Sequence, residues 1–208
     1  MMKLGGKIPF SVYPTFWIFA ALIGYVNSGS LVGIVIWMGV IFVSVLFHEL
    51  GHALTALLWG RYPRIELVAL GGLTYHDGER LPLWKQFMIV FNGPLFGFFL
   101  FLIATFLLGV PLLQQGLMGT SLVIMQGVNL IWTVLNLLPI LPLDGGQLLR
   151  ITLTAFFGPK ALRYTLLISF VFALLISLTA FLFNQMFFGA FLFLFAFQSF
   201  TAWKQSRS

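Results

Sequence analysis

The chain has 208 residues, of which 60% are hydrophobic and only 8% are charged. Soluble domains carry about 25% charged residues, so this composition excludes an ordinary soluble protein and indicates a polytopic membrane protein. The net charge is +6, but the basic residues lie in short connections between apolar segments, so the charge does not indicate nucleic-acid binding. The chain contains no cysteine, which excludes disulfides and thiolate metal ligands.

Six apolar segments approach the roughly 20 residues that a helix needs to cross a bilayer. The weakest boundary separates the last two segments, at Asn184 and Gln185. The sequence therefore predicts an all-α polytopic membrane protein with about six transmembrane helices, organised as a single domain over residues 1–208. The predicted segments are 10–27, 31–59, 86–110, 119–143, 161–183 and 186–203.

The second segment contains the run His48-Glu49-Leu50-Gly51-His52 after a long apolar stretch. On a helix, His48 and His52 are one turn apart and share a face. Two imidazoles at this spacing can bind one zinc ion, and the glutamate beside the first histidine can act as a general base. Because ionisable groups at membrane depth are usually functional, we interpret this run as a metal site rather than a chance pentapeptide.

The connection between the second and third segments predicts a short membrane-associated β-hairpin. Residues 65–75 are apolar, contain Gly71-Gly72 as a candidate turn, and are too short to cross the membrane. One interpretation is that the hairpin edge pairs with an extended substrate, and the other is an ordinary interfacial hairpin. His76 follows in a polar stretch, and we interpret it as a solvated loop residue rather than a ligand.

The fourth segment ends in a proline-containing stretch that leads to Asp144. Pro139 and Pro142 prevent a regular helix there, and Gly145 and Gly146 allow a tight, irregular backbone. The second and fourth segments run in the same direction, so we expect Asp144 at about the depth of the histidine pair. A helix-terminal aspartate in a turn is the alternative interpretation.

Two histidines and one carboxylate leave a fourth position for water, as in catalytic rather than structural zinc sites. The sequence therefore predicts one Zn²⁺ per chain with His48, His52 and Asp144 as ligands. Glu49 is the candidate general base, which would take a proton and pass it to the leaving amine. A zinc-hydrolysis motif in an apolar helix indicates a reaction carried out within the bilayer.

The 11 Lys and Arg residues occupy alternate connections of the predicted chain. They precede the first segment, lie between the second and third, lie between the fourth and the first turn of the fifth, and follow the sixth. The positive-inside rule then places both termini in the cytoplasm and the histidines toward that side. We expect the first segment to be an anchored helix, because no small-residue cleavage site follows it. The basic residues are Lys3, Lys7, Arg61, Arg64, Arg80, Lys85, Arg150, Lys160, Arg163, Lys204 and Arg207.

These motifs together resemble the site-2 protease family of intramembrane zinc metalloproteases. Residues 48–52 are similar to the HExxH motif of the family, and residues 136–146 resemble its second signature, an Asn-x-x-Pro segment ending in Leu-Asp-Gly. Residues 70–72 resemble its Gly-Gly loop, and residues 92–95 its Gly-Pro element. The predicted arrangement of helices is most similar to the six-helix sporulation-type branch of this family. We expect this chain to carry no PDZ domain and no CBS pair.

The resemblance implies an endopeptidase that cuts membrane or membrane-associated proteins in or near their transmembrane segments. By position, it makes His48, His52 and Asp144 the metal ligands and Glu49 the base. Asn136 matches a family position near the substrate, with an interhelical hydrogen bond as the alternative role. The resemblance also implies a bacterial cell membrane. Without a PDZ domain or a CBS pair, we expect the activity to be set by a regulatory membrane partner or by presentation of the substrate, whereas the oligomeric state is not predicted.

Two other functions could use the same residues. A membrane metal-ion transporter would use the His/Glu/Asp cluster as a transit site, but it would favour polar groups along the whole path, whereas these ionisable groups cluster at one depth. A non-catalytic scaffold could retain the metal site, but it would not need Glu49. The sequence therefore favours an intramembrane zinc metalloprotease that acts on membrane proteins in the lipid bilayer, with no nucleic-acid partner.

Overall fold

The structure is a computed structural model that describes residues 2–4, 8–69, 71–76 and 81–206. Of residues 2–4 and 76 it describes the backbone alone. Four positions used in the sequence analysis lie outside the described residues: Lys7, Leu70, Arg80 and Arg207.

The described residues form seven α-helices, two short 3-10 helices and four β-strands. The helical architecture, with a hairpin between the second and third helices, confirms the predicted fold class. The helices are α1 (Pro14–Ser28), α2 (Leu31–Leu58), α3 (Leu83–Leu108), α4 (Gly116–Asn136), α5 (Asp144–Phe157), α6 (Ala161–Leu182) and α7 (Met186–Gln205). The strands are β1 (Met2–Leu4), β2 (Ile8–Val12), β3 (Pro63–Val68) and β4 (Gly71–His76), and the 3-10 helices are Pro111–Gln114 and Gly158–Lys160.

Five helical segments are long and apolar enough to cross a membrane. They are α2, α3, α4 and α7, together with Asp144–Leu182, which contains α5 and α6. This number of apolar helices makes the chain a multi-pass membrane protein. The break predicted between the last two segments is confirmed, because Asn184 adopts the left-handed conformation with φ 58° between α6 and α7.

The first predicted span differs from the structure. Residues 8–12 form β2, and α1 has 15 residues, a length of about 22 Å at 1.5 Å per residue. Pro14 accounts for the boundary. Its ring fixes a helical φ at the first position of α1 and favours an extended conformation at Tyr13, which has φ −83° and ψ 150°.

The four strands form one sheet in the order β1-β2-β3-β4. β2 and β3 are parallel, and the other two pairs are antiparallel. The predicted hairpin is therefore present, but Val68 pairs with Gly71, so Gly71 and Gly72 belong to β4 rather than to the turn. The sequence analysis missed β1 and β2, because Ile8–Val12 continues directly into an apolar helix and shows no separate strand pattern.

The contacts of the chain divide it into two compact units, residues 1–80 with 91–134, and residues 81–90 with 135–208. The single domain expected from the sequence stays a prediction. In the first unit, apolar residues of the sheet, α1 and α2 form one core. Its buried members are Ile8, Phe10, Phe16, Ala20, Ile41, Val45, Ala53, Ile65 and Leu67.

The two ends of α2 show where the histidines lie along the helix. The side chain of Ser30 accepts a hydrogen bond from the Gly33 N–H at 3.1 Å, which caps the first turn. The helix ends before Trp59 and Gly60, and Gly60 adopts the left-handed conformation with φ 73°. Residues 48–52 therefore lie in the second half of a continuous 28-residue helix.

Within the first unit, α2 and α3 cross closely at Gly51. A Cβ atom at Gly51 would overlap the main-chain carbonyl of Asn92. The Asn92 Nδ2 donates to Thr55 Oγ1 at 2.7 Å, and Thr55 Oγ1 lies 2.7 Å from the carbonyl of Gly51. Close approach through a glycine, with polar groups hydrogen bonded across the contact, is typical of helix packing in membranes.

The second unit is built around the α6–α7 helical hairpin. The hydroxyl of Ser177 on α6 donates to the carbonyl of Gly189 on α7 at 2.8 Å. Buried apolar residues from both helices pack with Ile140, which lies in the proline-containing stretch after α4. The buried core residues are Ile140, Ala173, Leu192, Phe195 and Ala196.

Candidate active site and metal centre

His48, Glu49 and His52 lie on neighbouring turns of α2 and are buried, with exposed fractions of 4%, 4% and 8%. The two Nε2 atoms are 3.2 Å apart, and the imidazole planes are inclined at 78°. One ligand atom from each of the three side chains lies within 4.8 Å of the other two. The structure therefore brings together the three residues that the sequence predicts in this helix, in a cluster that could hold a metal ion.

The histidine geometry fits a zinc ion. Two nitrogens bound to one zinc at about 2.0–2.1 Å, at a tetrahedral angle, are about 3.3 Å apart. The observed Nε2–Nε2 separation of 3.2 Å matches this value. Imidazole nitrogen and carboxylate oxygen are also donors that zinc accepts in proteins. The residues present therefore fit the predicted metal.

Two glycines of α3 lie beside the histidines. A Cβ atom at Gly93 would overlap the imidazole of His52, including its Nε2 atom. A Cβ atom at Gly97 would lie 3.8 Å from His48 Nδ1. Gly93 and Gly97 are four residues apart and share one helix face. Gly93 therefore leaves the room that the His52 ring occupies, whereas the nearest atom to a Cβ at Gly97 would be Thr133 Oγ1, at 3.0 Å.

The carboxylate of Glu49 is in contact with β4. The hydroxyl of Thr74 donates to Glu49 Oε2 at 2.7 Å. A Cβ atom at Gly72 would overlap the Glu49 side chain, so this glycine allows the strand to lie against the carboxyl group. The sequence analysis missed Thr74, because the side chains of the hairpin that face α2 are set by its register, which a short apolar run does not reveal.

A polar face of α4 adjoins the turn of α2 that precedes His48. Asn129 is 1% exposed, and its Nδ2 donates to Ser44 Oγ at 2.9 Å. Ser44 lies one helical turn before His48, and Thr133 lies one turn after Asn129. The sequence analysis missed these residues, although their spacing along α4 is a signal that could have identified a polar helix face.

Asp144, the predicted third ligand, is the first residue of α5 and is 8% exposed. It belongs to the second unit, and its role as a ligand stays a prediction. The irregular backbone expected at Gly145 and Gly146 is wrong, because both residues lie in the first turn of α5. A Cβ atom at Gly145 would overlap the Leu137 carbonyl, so the glycines allow the preceding stretch to pack closely against this turn.

The stretch before Asp144 is also held by α6. The N–H of Leu141 donates to Ser169 Oγ at 3.0 Å, and the Ser169 hydroxyl lies 3.3 Å from the carbonyl of Pro139. Ser169 is completely buried. One side chain therefore satisfies two main-chain groups that the prolines leave without regular helical partners.

Two further residues singled out in the sequence lie at the ends of secondary-structure elements. Asn136 is the last residue of α4 and is half-buried, and its role near the substrate stays a prediction. His76 is the last residue of β4 rather than a loop residue. Its side chain lies outside the described residues, so the structure does not place it near any site.

The fold and the site define a multi-pass membrane protein with a candidate metal centre inside an apolar helix. The model of a protein family described as Peptidase family M50 matches residues 36–120 and 110–179. The matches include the histidine motif, the Gly-Pro element of α3 and Asp144. The chain belongs to peptidase family M50, which confirms the resemblance stated from the sequence.

Similar proteins have names consistent with this family. Stage IV sporulation protein FB of Bacillus subtilis is 34% identical over 169 residues, which cover 80% of this chain and 55% of that protein. A zinc metalloprotease of Methanocaldococcus jannaschii is 31% identical and covers 76% of this chain and 46% of its own length. This chain therefore spans about half the length of these curated relatives.

The fold also resembles a solved structure. The Site-2 Protease from Methanocaldococcus jannaschii matches with a TM-score of 0.68, over 98% of this chain and 94% of that chain. The sequence identity is 23%, so this likeness concerns the fold. It supports the helical architecture and the hairpin described above.

Gly93 provides a test of the space around His52. The substitution Gly93→Ala adds a methyl group that overlaps the imidazole, and we expect the affinity for zinc to fall about tenfold or more, as for other changes around metal ligands. The matched control is Gly39→Ala on α2, where a Cβ atom would meet nothing within 4 Å. The measurement is zinc affinity of the purified, monodisperse variants in detergent. An unchanged affinity for Gly93→Ala would contradict this description of the site.

Proposed function

We propose that this chain is an intramembrane zinc metalloprotease that hydrolyses peptide bonds in or near the transmembrane segments of membrane proteins. The observation that carries the proposal is the buried cluster of His48, Glu49 and His52 within α2, a helix long and apolar enough to cross a membrane. Membership of peptidase family M50 supports a peptidase rather than the alternative of a metal-ion transporter. The relatives that are named zinc metalloproteases support zinc as the metal.

His48 and His52 would hold one Zn²⁺ per chain, and we propose Asp144 as the third protein ligand. Its support is its carboxylate, its burial at the start of α5, and the Leu-Asp-Gly signature in which it lies. A bound zinc ion supplies Lewis-acid chemistry, which polarises a peptide carbonyl and makes water more acidic.

Glu49 is the residue that would move the proton. Its carboxylate is buried beside both imidazoles, where it can accept a proton from the attacking water and deliver it to the leaving amine. A buried carboxylate is shielded from bulk solvent, so its interaction with a developing charge is stronger than in water. The hydroxyl of Thr74 donates a hydrogen bond to one oxygen of this carboxylate. Because threonine is uncharged, this contact adds no charge beside the base.

A transmembrane substrate must lose its local helical structure before it can be cut, because helical carbonyls are already hydrogen bonded. We propose that β4 holds the unwound segment in an extended conformation. Among the strands that the structure describes, β4 has a neighbouring strand on one side only, and it contacts Glu49 through Thr74. These two observations favour a substrate-binding edge over an ordinary interfacial hairpin.

We also propose that the protein lies in a bacterial cell membrane with both termini in the cytoplasm. The alternation of basic and uncharged connections supports this orientation. The short α1 would require local thinning of the bilayer to cross it, which membranes accommodate at modest cost. Fluorescent-protein and alkaline-phosphatase fusions at each terminus measure the orientation, and a phosphatase-active terminus would contradict it.

Glu49→Gln tests the proposed reaction directly. The probe is a panel of single-span reporter proteins, each with one transmembrane segment between two different tags, incubated with purified protein. We expect Glu49→Gln to retain zinc and to cut about 100-fold more slowly or worse, because the amide cannot accept the proton. The matched control is Glu66→Gln on β3, a carboxylate that pairs with Arg64, and we expect it to cut at the wild-type rate.

Two results would contradict the proposed reaction. Equal cleavage by wild type and Glu49→Gln would remove Glu49 from the role of base. Zinc uptake into proteoliposomes without cleavage of any reporter would instead support a metal-ion transporter. Measuring bound zinc, uptake and cleavage on the same preparations distinguishes these outcomes.

The substrate-binding edge can be tested by disulfide crosslinking, because the chain contains no cysteine. Leu73 on β4 is 44% exposed, and Leu178 on α6 is 51% exposed and serves as the matched control. Each is replaced by cysteine in the Glu49→Gln background, so that a reporter with one cysteine near its cleavage site stays intact. We expect a crosslink from Leu73→Cys and none from Leu178→Cys. Equal crosslinking by both variants would contradict the proposal.

A further inference from the structure

The hydrogen bond between Thr74 and Glu49 joins the sheet to the proposed base. The Oγ1–Oε2 distance is 2.7 Å, the usual length of a hydrogen bond that a hydroxyl group donates to an oxygen acceptor. The same Oγ1 is 3.4 Å from the main-chain oxygen of Glu49. That oxygen lies inside α2, where it accepts a helical hydrogen bond. The geometry therefore assigns the hydroxyl hydrogen to the carboxylate.

The register of the hairpin fixes the direction of the Thr74 side chain. Thr74 lies opposite Ile65, and Gly72 lies opposite Leu67. Residues directly opposite each other in an antiparallel pair share one face of the sheet. Ile65 and Leu67 are completely buried in the core that includes α2. Thr74 is therefore directed toward α2 by the packing of its neighbours and not by the hydrogen bond alone.

Packing does not explain why this position carries a hydroxyl. Valine has the same branched shape as threonine and an equal or better preference for strands. The other residues on this face of the hairpin whose side chains the structure describes, Pro63, Ile65, Leu67 and Gly72, carry no polar side-chain group. The hydroxyl of Thr74 is therefore a specific feature, and the observed acceptor is the carboxylate of Glu49.

We propose that Thr74 is a positioning residue for the general base, an inference that rests on the proposed function. The terminal torsion of a glutamate side chain is broad, whereas a catalytic group must be held within about 0.5 Å of its productive position. The hydrogen bond to Oε2 fixes this torsion. A carboxylate has about four acceptor sites, so the bond from Thr74 leaves capacity for the proton that Glu49 takes up.

A positioning role predicts a change in kcat without a change in KM, because Thr74 would act on the base and not on the bound substrate. The variants are Thr74→Val, which keeps the shape but removes the hydroxyl, and Thr74→Ser, which keeps the hydroxyl. The matched control is Thr201→Val on α7, an exposed threonine whose hydroxyl donates to the Phe197 carbonyl at 2.9 Å. The probe is the single-span reporter that wild-type protein cuts and Glu49→Gln does not.

We expect Thr74→Val to lower kcat about tenfold, since a hydrogen bond to a charged group is worth about that factor. KM and bound zinc should stay at the wild-type values. Thr74→Ser should restore most of the rate, and Thr201→Val should leave it unchanged. An unchanged kcat for Thr74→Val, or an equal loss in Thr74→Ser, would overturn the proposal.

Infrared spectroscopy gives a second readout that does not depend on cleavage. The chain has three glutamates, Glu49, Glu66 and Glu79, which can be labelled with ¹³C. The difference between wild type and Thr74→Val should show a shifted carboxylate stretch, and this shift should be absent when both proteins also carry Glu49→Gln. Absence of the shift in the wild-type background would overturn the contact. Failure of wild type to cut any reporter would overturn the proposed function. The infrared difference would still show whether Thr74 is hydrogen bonded to Glu49.

Discussion

Burying His48, Glu49 and His52 inside an apolar helix is unfavourable unless neighbouring groups or a metal ion compensate for the lost water. Three features of the structure accommodate the cluster. The Nε2 atoms of the two imidazoles lie 3.2 Å apart, where one metal ion could bind both, the hydroxyl of Thr74 donates to the Glu49 carboxylate, and Gly93 leaves room for the His52 ring. The features of the first unit that surround α2 follow from the need to accommodate these side chains.

The elements around α2 have different roles in meeting this need. The glycine face of α3 allows close approach without filling the space at the histidines. Among the side chains that the structure describes, the sheet presents an apolar face to α2 except for the hydroxyl of Thr74. On α4, Asn129 donates to Ser44 one turn before His48, so these two buried side chains are hydrogen bonded to each other within the protein. Helices α3 and α4 and the hairpin therefore each contact the cluster or the turn of α2 beside it.

The sequence predicts the histidine motif and its helix well, because a helical repeat alone places His48 and His52 on one face. It predicts the hairpin from composition but not its register, so it places Gly71 in the turn and misses Thr74. Contacts such as Gly93 with His52 join residues far apart in the sequence, and a local pattern does not reveal them. Asp144 is predicted as a ligand from its motif and from the shared direction of the second and fourth predicted segments. The prolines before it account for the end of α4.

The most direct test of the central claim is X-ray absorption at the zinc edge on the purified protein. The account predicts one zinc ion per chain with scattering from two imidazoles, which His52→Ala reduces to one. It also predicts that Asp144→Ala removes an oxygen ligand or lowers zinc occupancy, whereas Glu49→Gln leaves the two-imidazole signal intact. Protein without bound zinc, or zinc whose spectrum shows no imidazole and is unchanged by His52→Ala, would contradict the account.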